Sequence, residues 1–163
     1  MAKTHTLVDL KSGKADPAVA IAARYNNKPD ALLEILHDVQ HELGHVPETS
    51  LPAIANALNI SRADVYGVAT FYHDFHLKPT GRHVLKLCLA EACQSMGGRA
   101  LQAAVEKFLN IKIGETSVDG LITLEATYCL GLCASSPTMM VNNRPVARVN
   151  STKAKAIIEG LRT

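Results

Sequence analysis

The chain has four cysteines, standing as two pairs, Cys88-x4-Cys93 and Cys129-x3-Cys133, with no fifth. Thiolates bind soft metals, and four with no remainder form the ligand set of an iron–sulfur cluster or a structural zinc. Zinc knuckles commonly close as C-x2-C to hold a rigid tetrahedron, and neither pair here has that spacing. A two-iron cluster gives each iron two cysteines and two bridging sulfides, so it tolerates looser pairs. The spacing therefore favours [2Fe–2S], with zinc and plain structural thiols or disulfides as the alternatives. The absence of any C-x-x-C argues against a thioredoxin-type dithiol.

Each pair ends a short apolar run, LKLCLAEACQSMGG or ATYCLGLCASSP, and opens into small residues. Ala90, Ala92, Gly131, Ala134 and Ser135 would let backbone N–H groups approach the sulfurs, which gain negative charge on reduction. Ser136-Pro137 follows the last cysteine and is a position where a cis bond would fit.

The elements that must carry these loops change character near Lys78-Pro79-Thr80-Gly81. Before that point the pattern is helical. A short helix is predicted from Pro17 to Tyr25, broken by Asn26-Asn27-Lys28-Pro29. A longer one, capped by Asp30, sets Leu32, Leu36, Val39 and Leu43 on one face and stops at Gly44 and Pro47. Ser50 opens the helix LPAIANALN, and Ser61-x-x-Asp64 has the form of a capping box for a helix running toward Phe75. Beyond the junction, strands are expected at His83–Cys88 and Leu121–Tyr128, around an amphipathic helix Arg99–Leu109 with Leu101, Val105 and Phe108 inward. Thr138–Val141 and Val146–Val149 flank Asn142-Asn143-Arg144-Pro145 as a hairpin, and Ser151 caps a last helix, Thr152–Leu161. The expected organisation is a loose N-terminus (1–16), a helical domain (17–78) and a thioredoxin-like α/β domain (79–163).

Composition sets outer limits. Of 163 residues, 47% are hydrophobic, enough for packed cores. A net charge of +2 gives no field to attract nucleic acid, and 4% aromatic content without Trp disfavours a base-stacking surface. The N-terminal residues lack the apolar stretch of a signal peptide, and no run approaches the roughly 20 apolar residues of a membrane span. A soluble, cytoplasmic protein is the expectation, with thiols free to bind metal.

Two motifs point elsewhere and are set aside. His41-Glu42-Leu43-Gly44-His45 matches H-E-x-x-H, but a zinc protease needs both histidines on one face of an unbroken helix. Gly44 and the nearby Pro47 break it. LPAIANALNISRADVYGVATFY has a helix–turn–helix outline, yet its second helix offers Arg62 beside Asp64 and no basic flank for phosphates. Tyr66, Phe71, Tyr72 and Phe75 gather most of the aromatics before the junction, as a core joining the two domains or, alternatively, as a subunit interface.

VYGVATFYHDFHLKPTGRHVLKLCLAEACQSMGG followed by TYCLGLCASSPTMMVN resembles the thioredoxin-like [2Fe–2S] subunit of NADH-linked oxidoreductases. The likeness runs from about Leu32, through Leu43-Gly44-x-Val46-Pro47, to the C-terminus. The resemblance implies an N-terminal helical bundle followed by a thioredoxin-like ferredoxin domain, with Cys88, Cys93, Cys129 and Cys133 as iron ligands and no catalytic residue. It further implies a partner flavoprotein subunit holding FMN, NAD and a [4Fe–4S] cluster, where FMN interconverts two-electron and one-electron transfers. Phe71-Tyr72-His73-Asp74-Phe75 and Ala90-Glu91-Ala92-Cys93-Gln94-Ser95-Met96-Gly97 look most like the gamma subunit of NAD-dependent formate dehydrogenase, in which a larger subunit carries molybdenum or tungsten. The related subunits of NADH:quinone oxidoreductase and NAD-reducing hydrogenase are the alternative, and a zinc-stapled interaction module is the alternative of another class.

Overall fold

Asp16 and Pro17 start the first helix by complementary means. The Asp16 carboxylate accepts the Ala18 N–H at 2.9 Å, and Pro17 sits at a first-turn position that has no use for an N–H. The computed structural model describes residues 16–162; residues 1–15, most of the expected loose N-terminus, lie outside them.

Among the described residues, four helices make the first of two compact units, which ends at Pro79. They are α1 (Pro17–Arg24), α2 (Leu32–Leu43), α3 (Leu51–Leu58) and α4 (Arg62–Phe71). Their core is Ile21, Ile35, Leu36, Val39, Val46, Leu51, Ile54, Leu58 and Val65, each no more than 1% exposed. Burying a side chain of this size contributes about 1.5–3 kcal/mol. Gly44 ends α2 in the left-handed conformation (φ 78°), where a side chain would be strained. Ser61 and Asp64 form the expected capping box, with Asp64 N–H donating to Ser61 Oγ at 3.1 Å and Ser61 N–H to the Asp64 carboxylate at 3.1 Å.

Three details differ from the sequence pattern. Asp30 lies inside a 3-10 turn, Pro29–Ala31, that leads into α2, and the N-cap position, Ala31, offers no side-chain bond. The fourth helix stops at Phe71 rather than running toward Phe75. Gln40 explains the ending, because its amide donates to Asp74 C=O (2.6 Å) and accepts the His76 N–H (2.7 Å). These bonds fold the following loop back onto α2, and Val46 N–H reaches His76 C=O at 2.8 Å. Phe75 is thereby buried against His37, ring centroids 4.9 Å apart, within the helical core. Tyr66, Phe71 and Tyr72 remain 46%, 75% and 44% exposed, so only one of the four aromatics packs into a core.

The second unit begins at Thr80. Its sheet runs in the order β2-β1-β3-β4, built from β1 (His83–Cys88), β2 (Ile122–Thr127), β3 (Met139–Val141) and β4 (Arg144–Val146). The first two strands are parallel and in register from His83↔Ile122 to Cys88↔Thr127; the other two pairings are antiparallel. Between β1 and β2 come α5 (Glu91–Ser95), which the sequence pattern did not show, and α6 (Gly98–Leu109); α7 (Ser151–Leu161) closes the chain. Leu85, Leu87, Ile122, Leu124 and Met139 alternate onto one sheet face and pack with Leu101, Val105, Leu109, Ala154 and Ile158 of the two long helices.

The inward set of α6 ends on Leu109, not Phe108, which is 37% exposed and carries Lys155 Nζ 5.8 Å above its ring. The hairpin is tighter than expected. Asn142-Asn143 alone makes the turn, so β4 starts at Arg144, and Pro145 is accommodated because this strand is at the sheet edge. Asn150, not Ser151, caps the last helix by accepting the Lys153 N–H at 2.8 Å.

Candidate metal centre

Parallel registration of β1 with β2 brings the cysteines together. The strands leave the sheet at the same end, Cys88 beside Thr127, so the loop after each carries its pair to one place. The loops are tied there: Leu89 N–H donates to Thr127 C=O (2.8 Å) and Cys88 N–H to Thr138 C=O (3.2 Å). Cys93 rides on α5, whose exit is fixed by Gly98. A Cβ on Gly98 would lie 2.6 Å from the Cys93 carbonyl oxygen. Gln94 braces the same loop, donating to Leu89 C=O at 2.9 Å and accepting from Arg99 Nε at 2.6 Å. On the other side, the Ser136–Pro137 peptide bond is cis. Arg148 N–H to Ser135 C=O and Val149 N–H to Pro137 C=O, both 2.8 Å, pin that segment.

The two pairs have different surroundings. Cys88 and Cys93 are buried (4% and 1% exposed), whereas Cys129 and Cys133 face solvent, near the exposed Tyr128. The sulfurs of Cys129 and Cys133 lie 3.7 Å apart. Two thiolates on one tetrahedral metal, each bonded at about 2.3 Å, would be separated by about 3.7–3.8 Å. That spacing fits a shared metal. Among the described residues no three His, Cys, Asp or Glu side chains crowd one point as a single-metal cage requires. Cys129 with Cys133, and Cys93 with Cys88, stand in contact as pairs.

The two pairs also differ electrostatically. Cys133 is pushed above the ordinary thiol value by its hydrogen bond with Cys129 and by that group's charge, then by burial and by the charges of Cys93 and Cys88. Burial would likewise raise Cys93. Hydrogen bonds with the Thr138 hydroxyl, with Cys88 and with the Thr138 backbone outweigh it and hold this thiol below its usual value. The sequence pattern missed the contacts of the Thr138 and Ser136 hydroxyls with Cys93; Thr138 arrives only through the return of the chain into β3. Of the small residues expected to admit amide donors, Gly131 does so, its N–H reaching Cys129 Sγ at 3.3 Å.

The histidine motif forms no site. Its first histidine is in the last turn of α2, and the second lies past Gly44, its Nδ1 3.3 Å from Leu43 C=O. Replacing both His41 and His45 by alanine is expected to leave iron and sulfide content unchanged within error by metal and sulfide analysis. A large loss of metal would restore the histidines as ligands. Likewise α3 and α4 spend their apolar faces on the helical core, and Arg62 is the only basic residue on the second of them.

A sheet whose strand ends present four thiols in a buried and an exposed pair has the donor set that an iron–sulfur domain needs. The chain belongs to the thioredoxin-like [2Fe-2S] ferredoxin family, which it matches over residues 18–162. It is 41% identical over 135 residues to one of the subunits of the NADH-quinone oxidoreductase of Escherichia coli (strain K12), covering 83% of this chain and 81% of that one. It is 35% identical over 142 residues to the NAD-reducing hydrogenase HoxS subunit alpha of Cupriavidus necator, covering 87% of this chain but 24% of the hydrogenase subunit. The fold resembles a chain of NAD+-reducing [NiFe]-hydrogenase in the H2-reduced state, with a TM-score of 0.73 at 24% identity, over 83% of this chain and 23% of that one. The chain is thus a thioredoxin-like [2Fe–2S] protein whose relatives include subunits of NADH-linked oxidoreductases. Among the described residues, no helix is long and apolar enough to cross a membrane.

Proposed function

We propose that Cys88, Cys93, Cys129 and Cys133 hold one [2Fe–2S] cluster in the electron-transfer subunit of an NAD-dependent formate dehydrogenase. The observation that carries the ligand assignment is the meeting of both cysteine pairs at the paired ends of β1 and β2. When bound, the cluster accepts and releases one electron at a time. The chain does the rest. Cys88 and Cys93 anchor the inner side in a water-poor pocket, while Cys129 and Cys133 keep the outer side at the surface, where electrons can pass. No side chain breaks a bond in substrate. FMN, NAD and a [4Fe–4S] cluster belong to a partner flavoprotein subunit, and molybdenum or tungsten to a larger subunit beyond it. The complex is cytoplasmic in this reading.

Support for formate as the electron source lies in the stretches Phe71–Phe75 and Ala90–Gly97, which look most like formate dehydrogenase gamma subunits. The relatives from Escherichia coli and Cupriavidus necator favour a second reading, the corresponding subunit of an NADH:quinone oxidoreductase or NAD-reducing hydrogenase. Two measurements separate these readings from each other and from a zinc module. Iron, zinc and acid-labile sulfide on anaerobically purified protein, with EPR after dithionite reduction, should give two irons, two sulfides and a one-electron signal per chain. One zinc without sulfide, persisting after reconstitution, would overturn the cluster. Formate-dependent NADH production by the purified native complex is expected; activity only with quinone or hydrogen would reassign the complex.

A further inference from the structure

We infer that Thr138 sets the reduction potential of this centre by donating a hydrogen bond to the Cys93 sulfur. The inference rests on the reading of the four cysteines as [2Fe–2S] ligands, and deepens it. Two hydroxyls approach Cys93 Sγ, Thr138 Oγ1 at 3.4 Å and Ser136 Oγ at 3.5 Å. They are not equivalent. Ser136 spends its one hydroxyl hydrogen on Cys133 C=O, at 2.7 Å, so toward Cys93 it presents a lone pair that receives the thiol S–H. Once Cys93 loses its proton to bind metal, that contact has no hydrogen left in it. Thr138 Oγ1 has no other hydrogen-bond partner among the described residues, and the residue is 1% exposed. Its hydrogen has only the sulfur to go to, in a pocket where water does not compete.

The consequence follows from charge. One electron taken by a bound cluster from the reductant would add one negative charge shared with the ligand sulfurs. A donor to sulfur stabilises the reduced form more than the oxidised form, which raises the potential. The effect is strong for a buried donor because the local dielectric is low. Cys129, by contrast, takes its donor from a backbone amide at the surface, where water also supplies hydrogen bonds.

The test uses the full chain with its cluster, read by EPR-monitored potentiometric titration. Thr138→Val keeps the shape and removes the hydroxyl. It should lower the midpoint, with the reduced form disfavoured about tenfold, or about 59 mV for a one-electron couple. Thr138→Ser restores the hydroxyl and should restore the wild-type midpoint, and Ser136→Ala should leave it unchanged. If Thr138→Val does not assemble, Thr138→Ala carries the same expected direction. A hydroxyl-free variant with two irons, two sulfides and the wild-type midpoint would overturn the inference alone. A shift in Ser136→Ala without one at position 138 would also overturn it. Wild-type protein holding no two-iron, two-sulfide centre would overturn both this inference and the ligand reading beneath it.

Discussion

Gly98→Ala is expected to destabilise the second unit by about 3 kcal/mol or more and to weaken cluster retention, although the residue binds nothing. The reason is distance. The added Cβ would sit 2.6 Å from the Cys93 carbonyl oxygen and 2.9 Å from its carbonyl carbon, and these are backbone atoms that cannot rotate away. Either α6 moves off the sheet it helps to bury, or the Cys93 peptide moves and takes its sulfur from the Thr138 hydroxyl. Both cost free energy, and the second disturbs the ligand directly. In a unit of this size the loss would lower the melting temperature by about 10 °C or more. Gly160→Ala in α7 is the control, because nothing lies within 4 Å of its added Cβ. There the better helix propensity of alanine should give a gain of about 0.5–1 kcal/mol. Thermal unfolding of the two variants, with iron content, decides the matter. A fully stable, fully loaded Gly98→Ala protein would show that the close approach does not position Cys93.

What the sequence disclosed and what it concealed divide along physical lines. Apolar periodicity and capping chemistry act within a few residues, so α2, α3, β1 and the Ser61–Asp64 box were legible. The four thiols stood out because their residue type is rare and they fall into two close pairs. Features decided by distant partners were not. The end of α4 depends on Gln40, more than thirty residues earlier in the chain. Phe108 turned outward because Leu109 fills the inward position, a choice between two adjacent apolar residues that periodicity alone does not make. The short α5 has too few residues to show a period, and it matters because it carries Cys93. The hydroxyl of Thr138 is reached only when β3 pairs with β1, so no local pattern announces it.

Cys129→Ser should strip most of the iron and sulfide while leaving the helical unit folded. A serine hydroxyl keeps its proton at neutral pH, so the outer pair loses one of its two thiolates and the remaining one, Cys133, cannot hold a metal alone. Exposure makes the defect harder to repair, because water reaches the vacated ligand position. The loss of metal binding removes stabilisation from the α/β unit, where binding and folding are coupled. The helical unit has a hydrophobic core of its own, none of whose residues the substitution changes. Side chains without shared partners add independently within about 0.5 kcal/mol. Amide exchange at Ile35, Leu36, Val39 and Ile54 should therefore match wild type, while the amides of β1 and β2 lose protection. Iron and sulfide analysis, EPR and hydrogen exchange on one preparation report all three quantities. An unchanged cluster spectrum would remove Cys129 from the ligand set. Loss of helical protection together with the metal would instead show that the first unit depends on the second for its stability, and that the chain folds as one cooperative body.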